Sequence, residues 1–347
     1  MPEAEAPGRL PREVALVGPT ASGKSVLALE AAVRLNEAAS PAGERGPAGV
    51  ELVSVDSMAV YRGMDIGTAK PTPAVRACVP YHLVDLVDPS DEFTVQQFQR
   101  AARHALHGIA ERGHAALLVG GTGLYLRSVV DDLTFPGRYP EVAATLAEQA
   151  DRAGPEGSPG RRDELRGMHR RLAGMDPVAA GRIEPTNERR LMRALEVSVG
   201  SGRPFSAFGP GLEQYPPSRV TLIGTDPGPE ALDLRIAERF VRLMDEGLLS
   251  EVRALAGRPG GLSRTARQAL GYRELLAHLE EGLALDRAVD LAIQRTRAFA
   301  RRQRAWFRRD PRIVWLEGCD DPAGAVVAAL GNVPEDSEGV GQCSSTR

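Results

Sequence analysis

Residues 18–25 read GPTASGKS, the spacing G-x-x-x-x-G-K-S of a phosphate-binding loop. The loop comprises Gly18, Pro19, Thr20, Ala21, Ser22, Gly23, Lys24 and Ser25. Backbone N–H groups of such a turn, and of the helix it opens, point at an anion. Lys24 adds a full positive charge, and the Ser25 hydroxyl is placed to hold Mg²⁺. The motif says that phosphates are held, not which molecule carries them. A second chemical residue, Asp56, ends the hydrophobic run VELVSVD. An acid there either holds magnesium, as in phosphoryl-transfer enzymes, or acts as a general base beside the reacting atom, and the chemistry leaves the two open. Ser57, Tyr61, Thr68 and Lys70 follow within VDSMAVYRGMDIGTAKP, bringing hydroxyls, a ring and a cation. Thr122 follows two glycines in VGGTGLY and reads as a helix N-cap, a ligand contact or both. Last, RTRAFARRQRAWFRR (295–309) holds seven arginines and no acid. It is either a solvated helix face or a surface for nucleic acid or diphosphate.

The elements that carry these residues are legible. EVALVG (13–18), VELVSVD (50–56), YHLVDLVD (81–88), HAALLVGG (114–121) and RVTLIGTD (219–226) read as strands, and IVWLEG (313–318) as a last short one. Helical stretches alternate with them, including about 23–36 and 95–112, the latter opened by a Thr94/Gln97 capping box. The alternation predicts an α/β fold with a doubly wound parallel sheet around the phosphate loop. Ligands of such sheets bind at the carboxyl ends of the strands, so GPTASGKS, VDSMAVY and VGGTGLY are expected to converge. Between about 133 and 200 strand signals vanish, and helices are expected at 141–153, 162–173, 177–183 and 187–199. The division is therefore 10–132 for the first part of the core, 133–200 for a small helical insertion and 201–333 for the second part. Long helices are expected over about 229–256, 264–281 and 286–309. The loop 38–49 is rich in small residues, proline and glycine, and the tail 334–347 reads as disordered.

Composition narrows the class. The 347 residues are 42% hydrophobic and 26% charged, as in ordinary soluble proteins. No run of eighteen apolar residues is present, so no membrane span is expected. The start, MPEAEAPGRLPRE, lacks the apolar segment of an export signal. Cys78, Cys319 and Cys343 are far apart and form no C-x-x-C pair, which suits a reducing cytoplasm and argues against a disulfide framework or zinc site. The net charge of −3 conceals a bias: of 43 basic residues only Lys24 and Lys70 are lysine. A compact ammonium suits a phosphate loop where a planar guanidinium does not.

On these residues alone, a small-molecule kinase competes with an enzyme that uses the loop for a diphosphate leaving group. The set GPTASGKS, VDSMAVYRGMDIGTAKP, LLVGGTGLY, RRLMRALEV, QALGYRE and ARRQRAWFR, in this order, resembles the tRNA dimethylallyltransferase (isopentenyltransferase) family over about residues 12–318. The resemblance implies transfer of a dimethylallyl group from dimethylallyl diphosphate to N6 of the adenosine 3′ of the anticodon in tRNA. It implies that the loop, with Mg²⁺, holds a diphosphate, that Asp56 is the general base, and that Thr122 contacts substrate. It implies tRNA contact by Asp56, Ser57, Met58 and Ala59, by Arg189, Arg190, Leu191, Met192 and Arg193, and by Gln268, Ala269, Leu270, Gly271, Tyr272 and Arg273. The helical insertion is then expected to grip the anticodon stem-loop, whose target base leaves its stack. A cytoplasmic monomer is expected. An adenylate isopentenyltransferase acting on free nucleotide shares the loop and the base, but needs neither the insertion nor an extended basic surface.

Overall fold

The computed structural model describes residues 13–38, 47–209 and 211–331. The N-terminal dozen residues, most of the small-residue loop and the tail from 332 lie outside the described residues. Residues up to Asp131 and from Pro217 form one compact unit, and Asp132–Pro216 forms another.

In the first unit, strand β1 (Glu13–Val17) leads through the loop into helix α1 (Lys24–Ala38). Then follow β2 (Val50–Val55), α2 (Pro73–Cys78), β3 (Tyr81–His82), α3 (Val95–Glu111), β4 (Ala115–Gly120) and α4 (Gly123–Val130). The second unit is helical: α5 (Pro140–Arg152), α6 (Pro159–Met175), α7 (Pro177–Arg182) and α8 (Glu188–Ser201). The chain returns to the first unit with β5 (Thr221–Gly224), α9 (Pro229–Asp245), α10 (Leu248–Ala256), α11 (Tyr272–Glu281), α12 (Leu285–Phe307), β6 (Ile313–Trp315) and α13 (Pro322–Gly331).

The strands form one parallel sheet in the order β3-β2-β4-β1-β5-β6. Their near-continuous apolar sequences fit a sheet covered on both faces. Side chains alternate between the faces. Val14, Leu16, Val50 and Leu52 join a core with Ala28, Ala31 and Leu35 of α1 and Val326 of α13. Ala15, Val17, Val53 and Val55 face the larger core, with Phe98 of α3, Phe240 of α9, Tyr272 of α11 and Phe307 of α12. The register sets the functional edge. Val17 pairs with both Gly120 and Gly224, and Val55 also pairs with Gly120. The segments beginning at Gly18, Asp56, Gly121 and Thr225 therefore leave the sheet side by side.

Three sequence expectations change. The third strand stops at His82, because Leu83 (φ 63°) and Asp85 (φ 57°) adopt left-handed backbone that breaks an extended run. The helix expected over 229–256 is two, α9 and α10, divided at Gly247, whose φ of 100° ends helical winding. The stretch 264–281 holds a short 3₁₀ turn, Ala266–Gln268, before α11. The capping box that opens α3 is present, with Gln97 N–H donating to Thr94 and Thr94 N–H to Gln97.

The second unit packs around Leu146, Leu165, Met168, Leu172, Leu191 and Leu195. Proline opens α5, α6 and α7, where its missing N–H has no helical partner to lose. Ser158, Asp176 and Asn187 cap α6, α7 and α8 by accepting from Arg161, Ala179 and Arg190 N–H.

Candidate active site

The phosphate loop is a tight turn held from two sides. Ser22 N–H donates to Pro19 O, and Ala21 (φ 62°) and Gly23 (φ 92°) supply the left-handed residues of the turn. Lys24 Nζ donates to Pro19 O at 3.1 Å, so the ammonium folds back over its own loop. Burial pushes Lys24 down to about 8; the charge of Asp56 opposes this and that of Arg239 adds to it. Arg239, from α9, is likewise lowered by burial and raised by Asp56. No carboxylate pairs with Arg239 among the described residues; its Nη1 lies 3.5 Å from Thr20 Oγ1. Two cations thus share the field of one aspartate, which leaves a net positive centre at the mouth of the loop. Ser22 lines a cavity of about 350 Å³ with Thr225, Asp226, Arg235 and Glu317, and its buried hydroxyl has no hydrogen-bond partner among the described residues.

The far wall of the loop is set by Gln303 of α12. Its Oε1 accepts from Thr20 N–H at 2.9 Å and its Nε2 donates to Gly121 O at 2.8 Å. One buried amide thereby fixes the phosphate loop to the turn after β4.

Asp56 begins the loop after β2. Its Oδ1 accepts from Met58 N–H at 2.7 Å and Ala59 N–H at 3.3 Å, which fixes the carboxylate in an Asx-type turn. No group among the described residues bonds its Oδ2. Thr122 sits at the N-cap position of α4 but makes no side-chain cap bond. Its Oγ1 instead accepts from Ser57 N–H at 3.3 Å, so the threonine holds the Asp56 loop and keeps its own hydroxyl proton to donate. Asp56, Thr122 and Lys24 thus stand together on one edge of the sheet, with Arg239 as a fourth member.

Lys70 is not a site cation. Its side chain is 1% exposed and its ammonium donates to Tyr61 O (2.5 Å), Asp65 (2.8 Å) and Asp85 (2.7 Å). It ties the loop 61–70 from within. The arginine run is also less free than its sequence. Arg304 and Arg308 pair with Asp226 at the end of β5, Arg295 pairs with Glu274, and Arg297 and Arg301 lie near Asp233. Arg302 and Arg309 are exposed with no carboxylate partner among the described residues.

The segments that the resemblance links to tRNA divide by burial. Arg189 and Arg190 are exposed on α8, and Met192 is half-buried against the core. Arg193 donates to Pro136 O and Gly137 O and pairs with Glu196. Leu191 is fully buried and Ala269, Gly271 and Tyr272 are buried as well; the Leu191 and Ala269 side chains pack inside, and the Tyr272 phenol donates to Glu251. Gln268 and Arg273 are exposed, and Leu270 is half-buried. In the Asp56–Ala59 segment, Ala59 is buried and Met58 packs on the main core.

A phosphate-loop α/β protein with a cationic cradle and, at its sheet edge, the carboxylate of Asp56 free of any cation partner among the described residues is the class that fold and site define. The IPP transferase family model matches residues 59–310. A tRNA dimethylallyltransferase of Streptomyces coelicolor is 44% identical over 308 residues, covering 89% of this chain and 91% of that protein. One from Kineococcus radiotolerans is 45% identical over 307 residues, covering 88% and 91%. Among solved structures, a tRNA isopentenylpyrophosphate transferase from Bacillus halodurans is 33% identical, with a TM-score of 0.61 and coverage of 92% and 96%. A eukaryotic dimethylallyltransferase acting on tRNA shares the fold, with a TM-score of 0.67 at 22% identity and coverage of 92% and 78%. The chain belongs to the IPP transferase family.

Proposed function

We propose that this chain is a tRNA dimethylallyltransferase. It moves a dimethylallyl group from dimethylallyl diphosphate to N6 of the adenosine 3′-adjacent to the anticodon, and releases diphosphate. The observation that carries this reading is that Lys24 and Arg239 both stand within the electrostatic reach of Asp56, whose Oδ1 is held by Met58 and Ala59 N–H and whose Oδ2 has no hydrogen bond among the described residues. A kinase site must stabilise a transferring phosphoryl group. Here the charges suit a departing diphosphate, and the carboxylate suits a proton acceptor.

In this scheme the loop amides, Lys24 and Arg239 bind the diphosphate and take up the negative charge that grows as the allylic C–O bond breaks. N6 of the flipped adenine forms the new C–N bond, and Asp56 Oδ2 takes the N6 proton. Thr122 holds the Asp56 loop through Ser57 N–H and offers its hydroxyl proton to a substrate oxygen. Mg²⁺ fits the donors present. Ser25 is exposed at the start of α1, and no group of three His, Cys, Asp or Glu side chains among the described residues could hold a metal by itself. Such a set suits an ion bound chiefly through substrate phosphates and water. When bound, Mg²⁺ supplies further charge neutralisation on the leaving group. The exposed Arg189 and Arg190 suit RNA phosphates, and no helix among the described residues is long and apolar enough to cross a membrane. The enzyme works on cytoplasmic tRNA.

The test offers ATP, AMP and a tRNA anticodon stem-loop separately with labelled dimethylallyl diphosphate. Label is expected in the stem-loop alone. Label in AMP would make the chain an adenylate isopentenyltransferase, and phosphoryl transfer from ATP would make it a kinase.

A further inference from the structure

Glu251 of α10 plays no part in the scheme above, yet it makes an unusual set of bonds. Its Oε2 accepts from the backbone N–H groups of Asp65 (2.9 Å) and Ile66 (2.8 Å). Its Oε1 accepts from Gly67 N–H (3.2 Å) and from the phenol of Tyr272 (2.5 Å). Three successive amides converging on one carboxylate form an anion nest, filled here by the protein's own side chain. Gly67 permits the approach: a Cβ there would lie 2.3 Å from the Tyr272 ring. The same loop is tied from inside by Lys70, which bonds Tyr61 O and Asp65. Upstream it is continuous with the Asp56 turn. Tyr272 belongs to the segment 268–273, whose exposed members are Gln268 and Arg273.

From this we infer that Glu251 is a positioning residue for the acceptor. It locks the loop 65–67, and with it the frame of the Asp56 turn, to the 268–273 segment, so that both present one fixed surface to the RNA. The phosphate loop rests on other contacts, those of Gln303, Lys24 and Arg239, and is independent of this lock. The inference rests on the tRNA reading, but it separates acceptor from donor.

The experiment compares wild type, Glu251→Ala, Glu251→Gln and Tyr272→Phe. Calorimetry gives affinity for dimethylallyl diphosphate, steady-state transfer gives KM and kcat for the anticodon stem-loop, and hydrogen exchange reads the amides of residues 65–67. Glu251→Ala is expected to raise the stem-loop KM by about tenfold or more, the scale of losing hydrogen bonds to a charged acceptor. Donor affinity should stay within about twofold, and amides 65–67 should exchange faster, as the lost protection requires. Glu251→Gln keeps one acceptor oxygen and should fall between wild type and Ala. Tyr272→Phe should raise the stem-loop KM while leaving the three amides protected. Unchanged exchange at 65–67 in Glu251→Ala, or donor affinity falling in step with acceptor KM, would overturn the assignment. Failure of the wild-type protein to modify the stem-loop would instead refute the tRNA reading, while the exchange measurement would still judge the lock.

Discussion

The charge state of Lys24 gives the sharpest handle on the donor site. Burial, with Arg239 adding to it against the pull of Asp56, brings the ammonium down to about 8 in the free protein. A group titrating at about 8 is roughly 90% charged at pH 7 and about 10% charged at pH 9. Affinity for dimethylallyl diphosphate should then fall about tenfold per pH unit above 8, because the neutral amine offers the diphosphate no charge. Unfolding does not produce this loss. The unfolded chain, with Lys24 near its ordinary 10.5, binds more protons than the native state between about 8 and 10.5, so this group makes stability rise with pH in that window. The assay is isothermal titration of the donor from pH 6.5 to 9.5. Lys24→Arg should bind more weakly at pH 7, because a planar fork fits the loop poorly, yet its profile should be flat, because the guanidinium stays charged. Arg239→Ala removes a like charge and should move the break upward; Asp56→Asn removes the one raising influence and should move it downward. A wild-type profile that is flat to pH 9.5, or a break that persists in Lys24→Arg, would refute the assignment.

Three other outcomes are expected. Asp56→Ala should abolish transfer while donor affinity at pH 7 stays within about a few-fold, since the carboxylate acts on the acceptor; a large calorimetric loss of donor binding would return Asp56 to a metal-holding role. Gln303→Ala leaves Thr20 N–H and Gly121 O without their buried partner, so chemical denaturation should show a loss of about 1–3 kcal/mol and donor binding should weaken; an unchanged midpoint and affinity would remove its bridging role. Replacing Arg189 and Arg190 together by alanine should raise the tRNA KM and flatten its salt dependence by up to roughly two units of slope, with little change in saturated turnover; an unaltered salt slope would take α8 out of the RNA interface.

What the sequence disclosed depended on how local the determinants were. The loop and Asp56 could be read because each stands directly at the end of an apolar strand, and parallel register then forces the strand ends together. The Thr94/Gln97 box set the start of α3 from four adjacent residues. Arg239 could not be read, since a distant helix delivers it and it falls in no motif; Gln303 lies within the arginine run, where charge marks the arginines and nothing local marks the amide that reaches Thr20 and Gly121. The partners of the arginine run were hidden for the same reason. The run holds no acid between 295 and 309, but Asp226, Asp233 and Glu274 reach it through the fold. Thr122 occupies the expected N-cap position, yet Ser57 N–H claims its hydroxyl because β2 and β4 are neighbours. The early end of the third strand is set by left-handed backbone at Leu83 and Asp85; leucine carries no signal of such a turn, and a lone aspartate in an apolar run carries only a weak one.

The central claim is that this chain places the dimethylallyl group on tRNA. Mass spectrometry of nucleosides from total tRNA tests it most directly, in a strain lacking the gene and in the same strain complemented. The account predicts that N6-dimethylallyl-modified adenosine at the position 3′ of the anticodon disappears on deletion, returns with the wild-type gene, and stays absent with Asp56→Ala. Unchanged levels of that nucleoside in the deletion strain, or full restoration by Asp56→Ala, would contradict it.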